Sequence, residues 1–149
     1  MTKKVAAVTG GASGIGEACA RVFAEQGWDV AVLDRNLEGA ERVAREIGGT
    51  AKALDVGNEQ EIESVAAWIE AEMGPVEAVV NSAGIIQPPL RPSELPMSLF
   101  DDIVRINQRG LYLCCTAFGH RMGTRRSGAI VNIASISGMI SMPLHAYCP

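Results

Sequence analysis

The sequence has few aromatic residues, no long apolar run and little clustering of positive charge. Phe, Trp and Tyr together make up 5% of its 149 residues. No apolar stretch approaches the roughly 20 residues that a membrane-spanning helix needs, and the start does not read as a signal segment. The 13 basic residues are spread against 17 acidic ones, with no basic cluster beyond Arg125-Arg126. These absences argue against a membrane protein or a nucleic-acid surface, and we expect a cytoplasmic protein that acts on a small molecule.

The sequence also lacks any informative spacing of its cysteines. Of the four cysteines, none forms a CxxC pair or a metal-ligand pattern. Cys19, Cys114 and Cys115 fall in stretches of helical periodicity, where cysteine is usually a small buried hydrophobe. We therefore predict neither a disulfide nor a bound metal.

Glycine, in contrast, is concentrated directly after the first apolar segment. Residues 4–8 read as a short strand, and Gly10, Gly14 and Gly16 follow it before a stretch of helical spacing begins. Glycine lets backbone come close to a ligand, and the free N–H groups and positive dipole at a helix start favour a pyrophosphate. The pattern predicts a phosphate-binding turn, and the alternative is a sharp turn without a ligand.

An acidic residue stands where the ribose of a dinucleotide would be reached. Asp34 ends the second apolar strand, 18 positions after Gly16. A carboxylate there accepts hydrogen bonds from both ribose hydroxyls and repels a 2'-phosphate. Because Ser13 rather than a basic residue precedes Gly14, the sequence favours NAD over NADP, although Arg35 favours the opposite. The alternative for Asp34 is a solvated strand end.

Strands and helices alternate along the chain. Segments that read as strands are residues 4–8, 29–33, 50–54, 76–80 and 129–133, and the last of the intervening helical stretches runs from about 98 to 122. Alternating strands and helices form parallel sheets joined by right-handed crossovers. We therefore predict one α/β domain over residues 1–149, a Rossmann-type doubly wound parallel sheet of order 3-2-1-4-5. Its ligand would lie beyond the carboxyl ends of the strands.

Further motifs occur in a fixed order along the chain. The ordered set is Thr9-Gly10-x-x-x-Gly14-Ile15-Gly16, Asp34, Asp55-Val56, Asn81-Ser82-Ala83-Gly84, Asn107, Ser135 and Tyr147. Together these motifs resemble the N-terminal part of the short-chain dehydrogenase/reductase family, in its NAD-dependent form. The resemblance covers essentially the whole chain.

The resemblance implies a set of cofactor-binding residues. The pyrophosphate would lie on the glycine turn, the adenine ribose on Asp34, the adenine beside Asp55 and Val56, and the cofactor floor would come from the segment after the fourth strand. Thr9 would brace that segment from the first strand. The implied residues are Gly10, Ser13, Gly14, Ile15, Gly16, Asp34, Asp55, Val56, Asn81, Ala83 and Gly84.

The resemblance also implies hydride transfer between nicotinamide and a secondary alcohol or ketone. Tyr147 would move the proton, Ser135 would hold the substrate oxygen, and Asn107 would connect a lysine through water to solvent. The family places that lysine four residues after the tyrosine, at position 151, beyond the 149 residues of the sequence. Its ammonium would lower the pKa of a phenol that otherwise titrates near about 10.

Each catalytic assignment has a structural alternative. Tyr147 would then be a half-buried helix residue, Ser135 a strand-end cap and Asn107 a polar break between helical segments, while Ser137 competes with Ser135 for the serine role. Because the lysine position is missing, we expect a chain truncated after the fifth strand, incomplete at its C-terminus and inactive alone.

Three functions remain open. They are an NAD-dependent dehydrogenase for a small alcohol or ketone, an NADPH-dependent 3-oxoacyl-type ketone reductase, and a dinucleotide-binding module without turnover. The fifth strand would leave an exposed apolar edge. We therefore expect a homo-oligomer in the complete protein, or a complementing C-terminal chain.

Overall fold

Strands and helices alternate in the folded chain as the sequence predicts. A computed structural model describes residues 3–139, so Tyr147 lies outside the described residues. The strands are β1 (Val5–Thr9), β2 (Asp29–Asp34), β3 (Thr50–Ala53), β4 (Val76–Asn81) and β5 (Ala129–Asn132). The α-helices are α1 (Gly14–Glu25), α2 (Leu37–Ile47), α3 (Glu59–Glu72), α4 (Met97–Ile103) and α5 (Leu111–Arg125). Short 3-10 turns occupy Pro92–Glu94 and Ile136–Gly138.

The five strands form one parallel sheet, which confirms the predicted fold class. Its order is β3-β2-β1-β4-β5, the order predicted from the sequence. In the central register, Thr9 lies beside Leu33 of β2 on one side and Asn81 of β4 on the other. The carboxyl ends of these three strands therefore meet at one edge of the sheet, and the loops that follow them begin side by side.

Apolar layers cover both faces of the sheet. On one face, Ile62 and Ile69 of α3 pack with Phe118 of α5 against the strands. On the other face, Ala20 of α1 and Val43 of α2 form the contact. Every residue of β1 is buried, because the strand lies between these layers and between two neighbouring strands. This continuous burial explains why β1 is apolar along its whole length rather than alternating.

The stretch predicted as helical from about 98 to 122 is helical throughout, but it is not α-helical in its middle. Between α4 and α5 the chain forms a π-helical segment, Val104–Gly110, which has wider turns than an α-helix. A Cβ added at Gly110 would lie 2.8 Å from the Val56 carbonyl oxygen, so this segment packs closely against the loop after β3. Hydrophobic spacing does not distinguish a π-helical turn from an α-helical one over so few residues, which is why the sequence pattern misses it.

The β5 strand lies at one edge of the sheet and is largely exposed. Within residues 3–139 it pairs only with β4, and the Val131 side chain is 52% exposed. None of the helices in the same range is both long and apolar enough to cross a bilayer.

Backbone segments approach one another very closely where β1 passes into α1. A Cβ added at Gly16 would lie 2.1 Å from the Gly10 carbonyl oxygen. A Cβ added at Gly10, whose φ is +66°, would lie 2.8 Å from the Ala83 Cα atom. No methyl group fits at either position, so α1 starts directly against the ends of β1 and β4.

This packing predicts the effect of one methyl group at Gly16. We expect Gly16→Ala to lower the free energy of unfolding by about 1–3 kcal/mol, because the new methyl group meets backbone that has little room to shift. Gly123→Ala is the matched control: Gly123 lies within α5, where an added Cβ has no neighbour within 4 Å, and a gain of up to about 1 kcal/mol is expected there. Urea unfolding of the full-length variants measures both, and wild-type stability in Gly16→Ala would contradict the close packing.

Candidate functional site

A cleft of about 440 Å³ opens at the carboxyl edge of the sheet. Its size lies within the roughly 300–1,000 Å³ that small-molecule sites occupy. The predicted cofactor residues that line it are Gly10, Ser13, Gly14, Ile15, Asp34, Asp55, Val56, Ala83 and Gly84. The structure thus brings together residues from four separate loops.

Two predicted cofactor residues, Gly16 and Asn81, are not among those that line the cleft. Gly16 is buried against the Gly10 carbonyl, as described above. Asn81 is 4% exposed, and its amide nitrogen donates a hydrogen bond to Asn132 Oδ1 at 2.8 Å. The Asn81 amide also lies 3.4 Å from the Cys115 sulfur. Neither residue lines the cleft. Gly16 supports it by packing against Gly10, and Asn81 supports it by linking β4 to β5.

The glycine turn leaves the start of α1 open toward the cleft. Gly14 has a φ of +55°, a left-handed conformation that glycine adopts without strain. Ser13 precedes the helix in an extended conformation, and its side chain makes no capping hydrogen bond. The first-turn N–H groups, which have no acceptor within the helix, therefore keep the capacity to bind an anion.

Asp34 connects the end of β2 to the glycine turn. Its Oδ2 accepts a hydrogen bond from the Ala12 N–H at 3.1 Å, and its Oδ1 accepts one from the Asn36 N–H at 2.9 Å. Because each carboxylate oxygen has a further acceptor site, Asp34 can still receive ribose hydroxyls while holding these two amides. The carboxylate is thus both part of the cleft wall and a support for the turn beside it.

Asp55 is held by a partner that the sequence pattern does not reveal. Its Oδ1 accepts a hydrogen bond from the Gly57 N–H at 2.8 Å, and its Oδ2 accepts one from Arg105 at 2.9 Å. Burial raises the pKa of Asp55, but the Gly57 N–H and the Arg105 guanidinium outweigh this effect and hold the pKa below its usual value. Arg105 lies in the π-helical segment, 50 residues along the chain, and no local motif connects the two.

Polar side chains also hold the loop after β4. Thr9 Oγ1 accepts hydrogen bonds from the N–H groups of Ser82 and Ala83, both at 3.2 Å, as the expected brace requires. Asn107 Oδ1 accepts from the Ile85 N–H, and Asn107 Nδ2 donates to the Ile85 carbonyl, both at 2.8 Å. Asn107 is not among the cleft-lining residues, so in the described structure it acts on the cleft through Ile85, which lines it.

The remaining predicted catalytic residues are not assembled within the described part of the chain. Ser135 follows β5, and its Oγ accepts a hydrogen bond from the Ser137 N–H at 3.1 Å, which caps the 3-10 turn Ile136–Gly138. Ser135 is half-buried and is not among the residues that line the cleft. Since Tyr147 lies outside residues 3–139, the pairing of this serine with the tyrosine stays a prediction.

Sequence reasoning assigned no role to several residues of the cleft wall. They are Ala12, Asn36, Leu54, Ile85, Ile106 and Ile133. Arg35 and Ser82 also line the cleft, as the residue that favours NADP and as part of the expected cofactor floor. Single apolar residues near strand ends carry no distinctive sequence signal, which is why the apolar members were missed. Over residues 3–139, no cluster of His, Cys, Asp and Glu side chains could hold a metal ion.

Comparison with known proteins identifies the family. A family model described as short chain dehydrogenase matches residues 4–148. A D-threitol dehydrogenase of Mycolicibacterium smegmatis is 41% identical over 97% of this chain and 58% of its own length. A 3-oxoacyl-[acyl-carrier-protein] reductase of Mus musculus is 39% identical over 91% of this chain and 58% of its own length.

A solved structure agrees in fold. A protein named ribose-5-phosphate isomerase from Brucella melitensis 16M superposes with a TM-score of 0.93 at 48% identity, over 99% of this chain and 57% of that protein. The chain therefore spans somewhat more than half the length of the relatives it matches. Since the family model extends over almost every residue, and the strand order and glycine turn agree with it, the chain belongs to the short-chain dehydrogenase family.

Proposed function

We propose that residues 1–149 form the dinucleotide-binding domain of an oxidoreductase, which transfers hydride between a secondary alcohol or ketone and a nicotinamide cofactor. The observation that carries this proposal is the cleft itself, where an uncapped helix start and a glycine turn face Asp34 across the carboxyl edge of a parallel sheet. Membership of the short-chain dehydrogenase family supports the reaction class.

The cleft residues fit a dinucleotide. A Cβ added at Gly14 would meet no atom within 4 Å, so the backbone there is open and a pyrophosphate would have access to the N–H groups of Gly14 and Ile15. Asp34 would hold the adenine ribose. Val56 and Asp55 would lie beside the adenine, with the Asp55 carboxylate held by the Gly57 N–H and by Arg105.

NAD is the cofactor that we propose, because the Asp34 carboxylate would repel the 2'-phosphate of NADP. Arg35 lies in the same part of the cleft wall and carries the opposite charge. The preference therefore depends on which of the two neighbouring side chains faces the 2' position.

The chemistry combines a cofactor with groups of this chain. When bound, the nicotinamide supplies or accepts the hydride. Tyr147 would exchange the proton of the substrate oxygen, and Ser135 would hold that oxygen by donating its hydroxyl proton, which the hydrogen bond that Ser135 Oγ accepts from the Ser137 N–H leaves available. Asn107 would keep the loop after β4 in place through Ile85 and connect the acid–base group to solvent through water.

The relatives favour two substrate classes. The D-threitol dehydrogenase favours a small polyol or other secondary alcohol, whereas the 3-oxoacyl-[acyl-carrier-protein] reductase favours a ketone. We place the alcohol first because its relative has the higher identity, and a ketone reductase is the second candidate. The protein named an isomerase offers a contrasting function, which needs no dinucleotide and is distinguished by assaying ribose 5-phosphate turnover without added cofactor.

The first prediction concerns cofactor choice. We expect the full-length protein to bind NAD at least about tenfold more tightly than NADP, which corresponds to about 1.4 kcal/mol. In Arg35→Met, NAD affinity should stay within about twofold of wild type, because the ribose contact is assigned to Asp34. Calorimetric titration with both nucleotides measures this, and equal NADP affinity that is lost in Arg35→Met would transfer the role to Arg35.

The second prediction concerns proton transfer. We expect Tyr147→Phe to lower kcat of the full-length enzyme by about 10²-fold or more, and Ser135→Ala to impair turnover similarly, with NAD affinity nearly unchanged. Ser137→Ala separates the two candidate serines, because the Ser137 backbone N–H still donates to Ser135 Oγ in this variant, and loss of turnover in it with wild-type turnover in Ser135→Ala would transfer the role to Ser137. Steady-state kinetics of each variant with a series of polyols measure the change in kcat. Substantial activity in Tyr147→Phe would contradict the assignment, because another group would then have to transfer the proton.

The third prediction concerns residues 1–149 by themselves. We expect them to bind NAD weakly without turnover, because the residues assigned to the pyrophosphate and the adenosine all lie within 1–149, whereas the lysine implied by the family resemblance falls at position 151. The measurement is NADH formation by the purified polypeptide, with full-length enzyme excluded by mass spectrometry. Measurable NADH formation would refute this expectation.

A further inference from the structure

Ala12, in the glycine turn, has both of its backbone polar groups held by side chains from other elements. Its N–H donates to Asp34 Oδ2 at 3.1 Å, and its carbonyl oxygen accepts a hydrogen bond from Arg42 Nη2 at 3.0 Å. Arg42 belongs to α2, 30 residues further along the chain. A loop alanine that is 6% exposed thus receives one fixed partner from β2 and another from α2.

These two hydrogen bonds fix two successive peptide planes. The Ala12 N–H belongs to the peptide unit shared with Gly11, and the Ala12 carbonyl belongs to the unit shared with Ser13. Since a trans peptide is planar, its N–H and C=O point in opposite directions. When Arg42 draws the Ala12 carbonyl toward α2, the Ser13 N–H is therefore directed away from α2, and Ser13 is a residue of the cleft wall.

Arg42 is itself held in place by acidic partners. Its Nη2 donates to Glu17 Oε2 at 2.8 Å, and its Nη1 lies 3.4 Å from Glu46 Oε1. Glu17, in the first turn of α1, also accepts from Arg21 at 2.7 Å. Hydrogen bonds from Arg42 and Arg21 lower the pKa of Glu17 to about 2, so its carboxylate stays charged at neutral pH. If Arg42 served only to join α2 to α1 through Glu17, its hydrogen bond to the Ala12 carbonyl in the loop would not be needed.

We propose that Arg42 is a positioning residue for the cofactor pyrophosphate, which orients the Ala12–Ser13 peptide so that the turn presents its N–H groups to the phosphates. This role rests on the proposed dinucleotide function and deepens it. Arg42 is not among the cleft-lining residues, and its charge is paired with Glu17, so its effect passes through the backbone rather than through direct contact with the nucleotide.

The test compares a ligand that has a pyrophosphate with one that lacks it. In the full-length protein, we expect Arg42→Met to raise the dissociation constant of ADP about tenfold, while that of adenosine stays within about twofold, because the adenosine contacts lie on other loops. Arg42→Lys should give an intermediate value, since one ammonium can bind the Ala12 carbonyl but does not reproduce the forked contact with Glu17. NMR titration measures both ligands.

Arg45→Met is the matched control. Arg45 lies on the same helix with a 70% exposed side chain and a long ion pair to Glu41, at 3.8 Å, so its removal should leave both dissociation constants unchanged. Equal weakening of ADP and adenosine in Arg42→Met would show a general structural role and overturn the proposal, as would unchanged ADP binding. Wild-type protein that binds neither ADP nor NAD would contradict the proposed function itself, and the proposal with it.

Discussion

The close approach of backbone at the end of β1 is the constraint on which the rest of the site depends. Gly10 lies against Ala83, and Gly16 lies against the Gly10 carbonyl, with distances that leave no space for a side chain. Because neither glycine has a side chain, α1 can begin at the edge of the sheet rather than one turn away from it. The positive end of the helix dipole is thereby brought to the cleft, where a negatively charged group is stabilised most.

Polar side chains then set the conformation of the loops around this junction. Thr9 and Asn107 hold the loop after β4, Asp34 and Arg42 hold the glycine turn, and Arg105 holds Asp55. Each hydrogen bond contributes only about 1 kcal/mol net, less than the burial of one large core side chain. The apolar layers therefore account for most of the stability, whereas the side-chain-to-backbone bonds determine which way the loop N–H groups point.

The sequence predicts the parts of this arrangement that depend on periodicity and glycine placement. Strand alternation predicts the sheet order, and Gly10 to Gly16 predicts the turn at the start of α1. The hydrogen bond of Arg42 with Ala12 and that of Arg105 with Asp55 could not be predicted in this way, because each joins elements whose proximity arises only on folding. The π-helical segment could not be predicted for a different reason, since its hydrophobic spacing is nearly that of an α-helix.

A crystal structure of the full-length protein with NAD tests the central claim most directly. The account predicts that the pyrophosphate oxygens lie about 2.7–3.2 Å from backbone nitrogens of the Ser13 to Ile15 turn, with the adenine ribose hydroxyls on Asp34. It also predicts that the Arg42 guanidinium remains on the Ala12 carbonyl when the nucleotide is present. A nucleotide bound away from this turn, or a pyrophosphate held directly by Arg42, would contradict it.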